Sequence, residues 1–251
     1  MLTRAPINQG ATPEGIQDPR QASTWVRDMF GRIAPRYDLL NHVLSLNIDR
    51  YWRSRTVEHV SRILNNPDAR ALDVACGTGD LMISLAAQGR ARVFGSDFCH
   101  PMLIAAAAKA RERSSQTPLF EADALQLPVA TASLDLATIA FGFRNLADYK
   151  RGLAELFRIL KPGGQVAILE FSMPPNALLA RLYDFYSRAI LPTIGGWLSG
   201  SREAYSYLPE SVRKFPNAEE LALQMSAVGF GNVRFHRMTA GIVALHLGDR
   251  L

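Results

Sequence analysis

The residues able to do chemistry gather between positions 73 and 123. An apolar run, Ala71-Leu72-Asp73-Val74-Ala75, carries one acid and breaks into a glycine turn, Gly77-Thr78-Gly79. A second apolar run, Val93-Phe94-Gly95-Ser96, ends in Asp97, and a third stretch, Phe120-Glu121-Ala122, ends in Asp123. Glycines where a strand turns into a helix let the backbone approach a ligand with no side chain in the way. An ionised Asp only accepts hydrogen bonds, so an acid ending the next strand suits a pair of ribose hydroxyls. Gly77 to Asp97 spans 20 residues, enough for one helix and one strand. A single GxG turn or a single acid at a strand end is often only a turn or a helix cap. Their recurrence at successive strand ends predicts a nucleoside site built on Gly77, Gly79, Asp97 and Asp123.

Up to that point the pattern fits a dinucleotide and S-adenosylmethionine equally. The third glycine of a GxGxxG fingerprint lets a helix pack close over a pyrophosphate. That position is Met82 here, so a pyrophosphate pocket is disfavoured. Asp123 adds an acceptor suited to an adenine amino group, which tilts the reading to S-adenosylmethionine. Asp73 is expected to act indirectly, by ordering the loop or by holding a water near the methionine amine. Cys76 reads as a small, buried, inert thiol.

The elements that must hold these residues alternate. Strand-like runs at 70–75, 91–98, 118–124, 134–141 and 165–172 are separated by helical stretches at 79–88, 101–113 and 147–160, with KPGG, 161–164, read as a turn. Strands alternating with helices imply an α/β fold with a parallel, doubly wound sheet and right-handed crossovers. In such a sheet a ligand sits at the carboxyl ends of the strands, where strand order reverses. The end of the chain differs. A helix at 217–230 precedes two strands, 232–239 and 241–248, close enough to pair as an antiparallel hairpin at a sheet edge. Seven strands result. Before the first strand, Trp25, Met29 and Ile33 recur at steps of four and Pro35 interrupts, so 24–64 reads as a helical cap. Residues 1–23, rich in Pro, Gly and Gln, read as a flexible tail, 24–251 as one domain, and 173–216 as an insertion within it.

Composition narrows the class. The chain has 251 residues, 48% hydrophobic and 20% charged, which suits one sizeable globular domain. Its net charge is +5, but the 28 basic residues are spread along the chain and all but four are arginine, unlike the concentrated patch of a nucleic-acid binder. A weak attraction to an anionic membrane surface fits the same charge. No apolar run reaches the length of a membrane span, and the first residues lack the apolar core of a secretory signal. A cytoplasmic protein, at the inner face of a membrane, is expected. Cys76 and Cys99 form no metal or disulfide pattern, and the five histidines show no metal spacing, so no metal is implied.

Four segments outside the glycine turn carry a more specific resemblance. RYDLLNHVLSLNIDRYWR at 36–53, FGFRNLADYKRGLAE at 141–155, LFRILKPGGQVAILEFSMP at 156–174 and YSYLPESVRKFPNAEEL at 205–221 resemble the ubiquinone/menaquinone biosynthesis C-methyltransferase family, and the likeness spans about residues 25–248. The resemblance implies a Rossmann-like class I methyltransferase fold, a seven-stranded, mostly parallel sheet with the C-terminal antiparallel hairpin and N-terminal helices. It implies transfer of a methyl group from S-adenosylmethionine to a ring carbon of a prenylated quinol. It places cofactor contacts on Thr78, Asp97, and Asp123 with Ala124. Three positions depart from the family pattern: Ala140 stands where some members have serine, Leu40 where Met is common, and Asp49 where His is common.

Methylation of a ring carbon needs an electron-rich acceptor and, after transfer, a route for the ring proton. Arg144 lies just past the fourth strand and stays charged at any working pH, so it is the candidate catalytic residue, acting electrostatically on the quinol oxygen or by positioning a water. Its bland alternative is an ion pair with Asp148. Asn145 is a second orienting group, and Tyr37, Asn41 and Tyr207 are candidates to line the substrate pocket. His42 is the one histidine near the expected substrate entrance. In the insertion, Leu178, Leu182, Phe185 and Ile190 fall at near-helical spacing, followed by Trp197 and Leu198, which reads as cover for a polyprenyl tail, as core, or as a membrane-facing patch. Expected partners are the prenylated quinol, a membrane surface and, as a further option, a second copy in a homodimer. The menaquinone step, demethylmenaquinol to menaquinol, is the first reading. The alternatives are the ubiquinone step, both steps, another lipid-like acceptor, and a non-catalytic subunit that binds the cofactor only.

Overall fold

A computed structural model describes residues 10–11, 13, 15–16, 18–186 and 202–251. Ile190, Trp197, Leu198 and the side chains of Leu182 and Phe185, singled out above, lie outside the described residues.

Three helices precede the sheet: α1 (Pro19–Ile33), α2 (Tyr37–Leu44) and α3 (Ile48–Leu64). The first starts earlier than its composition suggested. Asp18 caps it by accepting from the amides of Arg20 and Gln21, and Pro19 sits at the first helical position, where its fixed φ and missing N–H cost nothing. The stretch read as flexible tail is therefore helical from residue 19. Further back, Ala11 donates its amide to the carbonyl of Leu146 at 2.7 Å.

The strands are β1 (Arg70–Val74), β2 (Arg92–Asp97), β3 (Leu119–Glu121), β4 (Leu134–Ala140), β5 (Leu160–Phe171), β6 (Phe230–Met238) and β7 (Val243–Arg250). Between them run α4 (Asp80–Gln88), α5 (His100–Glu112), α6 (Tyr149–Ile159), α7 (Ala177–Phe185), α8 (Arg202–Lys214) and α9 (Ala218–Val228). One seven-stranded sheet results, in the order β3-β2-β1-β4-β5-β7-β6. The first five strands are parallel, and β7 runs antiparallel to both β5 and β6, so the C-terminal hairpin closes the sheet with β7 inside. KPGG is not a plain turn before a strand. Leu160 already pairs with Leu134, KPGG bulges out with Gly163 at φ +81, and pairing resumes at Gln165 opposite Leu136.

Alternate strand residues face opposite layers. Leu72, Val74, Ile139 and Ile168 pack under α6 and α9, whereas Ala71, Val93, Leu136 and Leu169 pack under α3 and α4. α1 folds across the end of α5, where Val26, Met29 and Ile33 meet Met102 and Tyr207. Met82, in the third-glycine place, is fully buried. A Cβ on Gly95 would stand 2.4 Å from its sulfur. The glycine that lets helix and strand fit lies on β2 rather than on the helix. Among the described residues no helix is long and apolar enough to cross a membrane.

Candidate active site

Strand order reverses between β1 and β4, and the loops leaving β1, β2, β3 and β4 converge there. After β1 the backbone turns through left-handed positions at Ala75, Gly77 and Gly79, and Gly79 caps α4. The register sets Thr138 of β4 beside Asp73, and its hydroxyl donates to the buried carboxylate at 2.6 Å. Asp73 also accepts the amide of Met82 in the first turn of α4, so its visible work is to order the loop. Burial raises the Asp73 carboxyl to about 7. Asp97 accepts the amides of Gly77 at 2.8 Å and Cys99 at 2.9 Å, and burial raises it to about 6 against those bonds. Asp123 takes the amide of Leu125, and burial holds the Cys76 thiol well above its usual value.

These loops line an open cleft. Its lining includes Asp73, Gly77, Thr78, Asp97, Asp123, Ala124 and Asn145. Among the described residues four acids border it, Asp73, Asp80, Asp97 and Asp123, with Arg53 as the lining cation and Asp80 paired to Lys109. Such a field repels a pyrophosphate and attracts a ligand bearing a sulfonium and an ammonium. Glycine cradle, ribose-type acid and acidic lining all fit S-adenosylmethionine.

A second cavity opens beside the first and is mostly apolar. Phe30, Tyr37, Arg53 and Phe141 line both, so these four form the passage between them. Trp52, Phe141 and Phe171 make an aromatic bed, with ring centroids 4.8 to 6.2 Å apart. Arg53 lies 5.7 Å over Phe141 and Arg144 lies 5.3 Å over Phe171, within cation–π range. Tyr37, Asn41 and Tyr207 all line this cavity. Asn145 lines the first one instead, and accepts from the Tyr207 hydroxyl at 3.1 Å, which joins the two. Burial raises both tyrosines, Tyr207 to about 12.

Arg144 also lines the second cavity, but its partner is not Asp148, which caps α6. The guanidinium is buried and bonds Glu170 of β5 at 2.9 Å, the Phe141 carbonyl at 2.5 Å and the Ser211 hydroxyl at 3.2 Å. Burial works against its charge, and Glu170 together with Tyr207 and Tyr37 outweighs it, so the guanidinium is held above its usual value. Glu170 was not anticipated. An acid at the carboxyl end of an otherwise apolar fifth strand, in the same place as Asp73 and Asp97, was the available signal.

An ionic network absent from the sequence reading ties cap to loop. Lys109 of α5 bridges Asp38 of α2 and Asp80 of α4, and also donates to Thr78 at 3.1 Å. Thr78 in turn donates to Asp38 at 2.5 Å. Arg53 bonds Asp49 and approaches Asp80 at 3.7 Å. His42 pairs with Asp49 at 2.8 Å and lines an outer cleft, not the second cavity. Burial alone would raise Asp49, but Ser45 and Arg53 outweigh it and hold the carboxyl below its usual range. His42, Asp49 and Asp80 have ligand-type atoms within 4.8 Å of one another, a grouping that histidine spacing did not reveal. Arg53 and Lys109 already meet those carboxylates.

Residues 17–250 match the model of the ubiE/COQ5 methyltransferase family. The chain is 48% identical over 223 residues to a demethylmenaquinone methyltransferase of Thermus thermophilus, covering 88% of this chain and all of that one. It is 46% identical over 225 residues to a ubiquinone/menaquinone biosynthesis C-methyltransferase UbiE of Syntrophotalea carbinolica, covering 89% and 93%. Among solved structures, a SAM-dependent methyltransferase of Thermotoga maritima superposes with a TM-score of 0.61 at 19% identity, over 89% of this chain and 99% of that one.

Proposed function

The chain belongs to the ubiE/COQ5 methyltransferase family, and from that membership we propose that it C-methylates the ring of a prenylated quinol, with demethylmenaquinol as the first substrate. It is a methyltransferase, and its cofactor is S-adenosylmethionine. The observation that carries the reading is the pair of cavities, one acidic and glycine-lined, the other apolar and aromatic, meeting at Tyr37, Arg53 and Phe141.

Gly77, Gly79, Thr78, Asp97, Asp123 and Ala124 hold the cofactor, with Asp73 ordering the loop behind them. Bound there, the cofactor supplies a methyl group already activated on a sulfonium. The aromatic bed of Trp52, Phe141 and Phe171 holds the quinol ring, and the passage aligns acceptor carbon and methyl in line. Tyr37, Asn41 and Tyr207 orient the quinol hydroxyls, and Asn145 fixes Tyr207. Arg144, anchored by Glu170, supplies positive charge where the phenolate develops and positions a water that takes the ring proton. A guanidinium does not itself act as the base at working pH.

Demethylmenaquinol precedes the ubiquinone precursor because the relative at 48% identity carries the menaquinone name. The enzyme works inside the cell at the inner face of a membrane, where such a substrate resides, and a homodimer is compatible with that placement. The test offers the purified chain labelled S-adenosylmethionine with reduced demethylmenaquinone in one arm and the reduced ubiquinone precursor in the other. Label is expected in the first product. Label only in the second would reassign the substrate, and label in neither would refute the function.

A further inference from the structure

The tip between α2 and α3 carries a leucine that folding alone does not explain. Leu46 holds a left-handed backbone at φ +52, beside Asn47 at φ +61. Non-glycine residues adopt that conformation at a cost. Burial does not offset it, because Leu46 is 77% exposed. Leu39 and Val43, one turn apart on α2, are 60% and 42% exposed, and Tyr51 in the first turn of α3 is 53% exposed. Leu46 also lines the second cavity together with Asn41, Ser45 and Ile48, so the apolar tip stands at that cavity's mouth. Alongside runs a cleft whose lining includes Arg50 and Arg113, both exposed, with His42, the acids Glu58 and Asp80, and Lys109, which is paired to Asp38 and Asp80. Apolar side chains flanked by arginines match the interface of a bilayer with negatively charged headgroups.

We propose that Leu39, Val43, Leu46 and Tyr51, with Arg50 and Arg113 beside them, form a docking face for an anionic lipid bilayer. The face sets the mouth of the acceptor cavity at the headgroup level, where a quinol ring leaves the lipid while its tail stays in it. The apolar side chains enter the interface and the arginines meet headgroup phosphates. This rests on the prenylated-quinol reading and adds to it the surface that receives the substrate.

The full chain is sedimented with vesicles of phosphatidylcholine alone and of phosphatidylcholine mixed equally with phosphatidylglycerol. Roughly tenfold more protein should pellet with the anionic vesicles at low salt, and most of that excess should vanish at about 0.5 M salt. Leu39→Ser/Val43→Ser should lose roughly fivefold of that binding, and Arg50→Glu should lose a similar amount. Neither Leu39 nor Val43 lines either cavity, so the double variant should methylate a short-tailed, water-soluble quinol at the wild-type rate. Wild-type protein left in the supernatant, or a double variant that pellets as well as wild type, would overturn the docking face. A dimer abolished by the same substitutions would assign the face to a second copy and overturn it. So would a melting temperature lowered by more than about 5 °C, because that marks side chains covered within the fold. Loss of short-tailed quinol methylation by the wild type, with vesicle binding intact, would count against the quinol reading alone.

Discussion

Single residues set the charge of the proposed cofactor cleft. Asp73 and Asp97 are raised to about 7 and about 6, both by burial. Between pH of about 4 and those values the folded chain holds protons that the unfolded chain has released. The stability these two groups contribute is therefore fully present in acid and is lost as pH rises through about 6 and 7. A ligand carrying a sulfonium and an ammonium favours the ionised acids, so its binding strengthens over the same window. Thermal melts should give a ligand-free protein that loses stability between pH of about 4 and 7, and a cofactor-induced rise in Tm that is larger at the upper end. A rise independent of pH would show that these acids do not face the cationic ligand. Arg144 sets the charge on the other side of the passage. Arg144→Lys keeps a cation but cannot reach Glu170, the Phe141 carbonyl and Ser211 together. Its kcat should fall about tenfold or more while calorimetric cofactor affinity stays within about twofold. An unchanged kcat would leave Arg144 as a structural ion pair. The residue-scale signals were legible where they were local: glycines, acids and an arginine at strand ends. Arg144's partner was not, because Glu170 lies 26 positions away and meets it only through the folding of β4 and β5 side by side.

Elements turn these residues into a site by being tied together. Lys109 on α5 holds α2 to the glycine loop through Asp38 and Thr78. Lys109→Met should loosen that tie, raising KM for the cofactor roughly tenfold with a smaller change in kcat, and Lys109→Arg should restore part of it. Equal effects of the two substitutions on KM would mean that the cation is not what orders Thr78. Packing of α4 on β2 depends on Gly95 making room for Met82. Gly95→Ala should destabilise the fold by about 1–3 kcal/mol in denaturant melts, and in the Met82→Ala background its cost should shrink. Equal costs in both backgrounds would show that the close approach is not limiting. The alternation of strands and helices was readable from hydrophobic period alone. Two boundaries were not. Asp18 and Pro19 start α1 inside a stretch whose Pro, Gly and Gln read as tail. KPGG looks like a turn locally, yet Leu160 before it is already paired in the sheet.

The molecule as a whole is a mostly parallel sheet with the proposed cofactor cleft at its switch point and a helical cap that closes a second cavity over it. The glycine loop and its acids marked the first cavity in the sequence. The second is assembled from α1, α2, α3, the loop after β4, the end of β5, Tyr186 just past α7, α8 and the turn before β7, so no short segment announced it. The proposed reaction carries a methyl group through the passage at Phe30, Tyr37, Arg53 and Phe141 to a ring carbon. It is tested most directly by incubating the purified chain with S-adenosylmethionine carrying a ¹³C methyl and with reduced demethylmenaquinone, then reading the product by NMR. The labelled methyl should appear bonded to a ring carbon. A labelled methyl on a quinol oxygen, or an unlabelled quinol in the presence of bound cofactor, would contradict it.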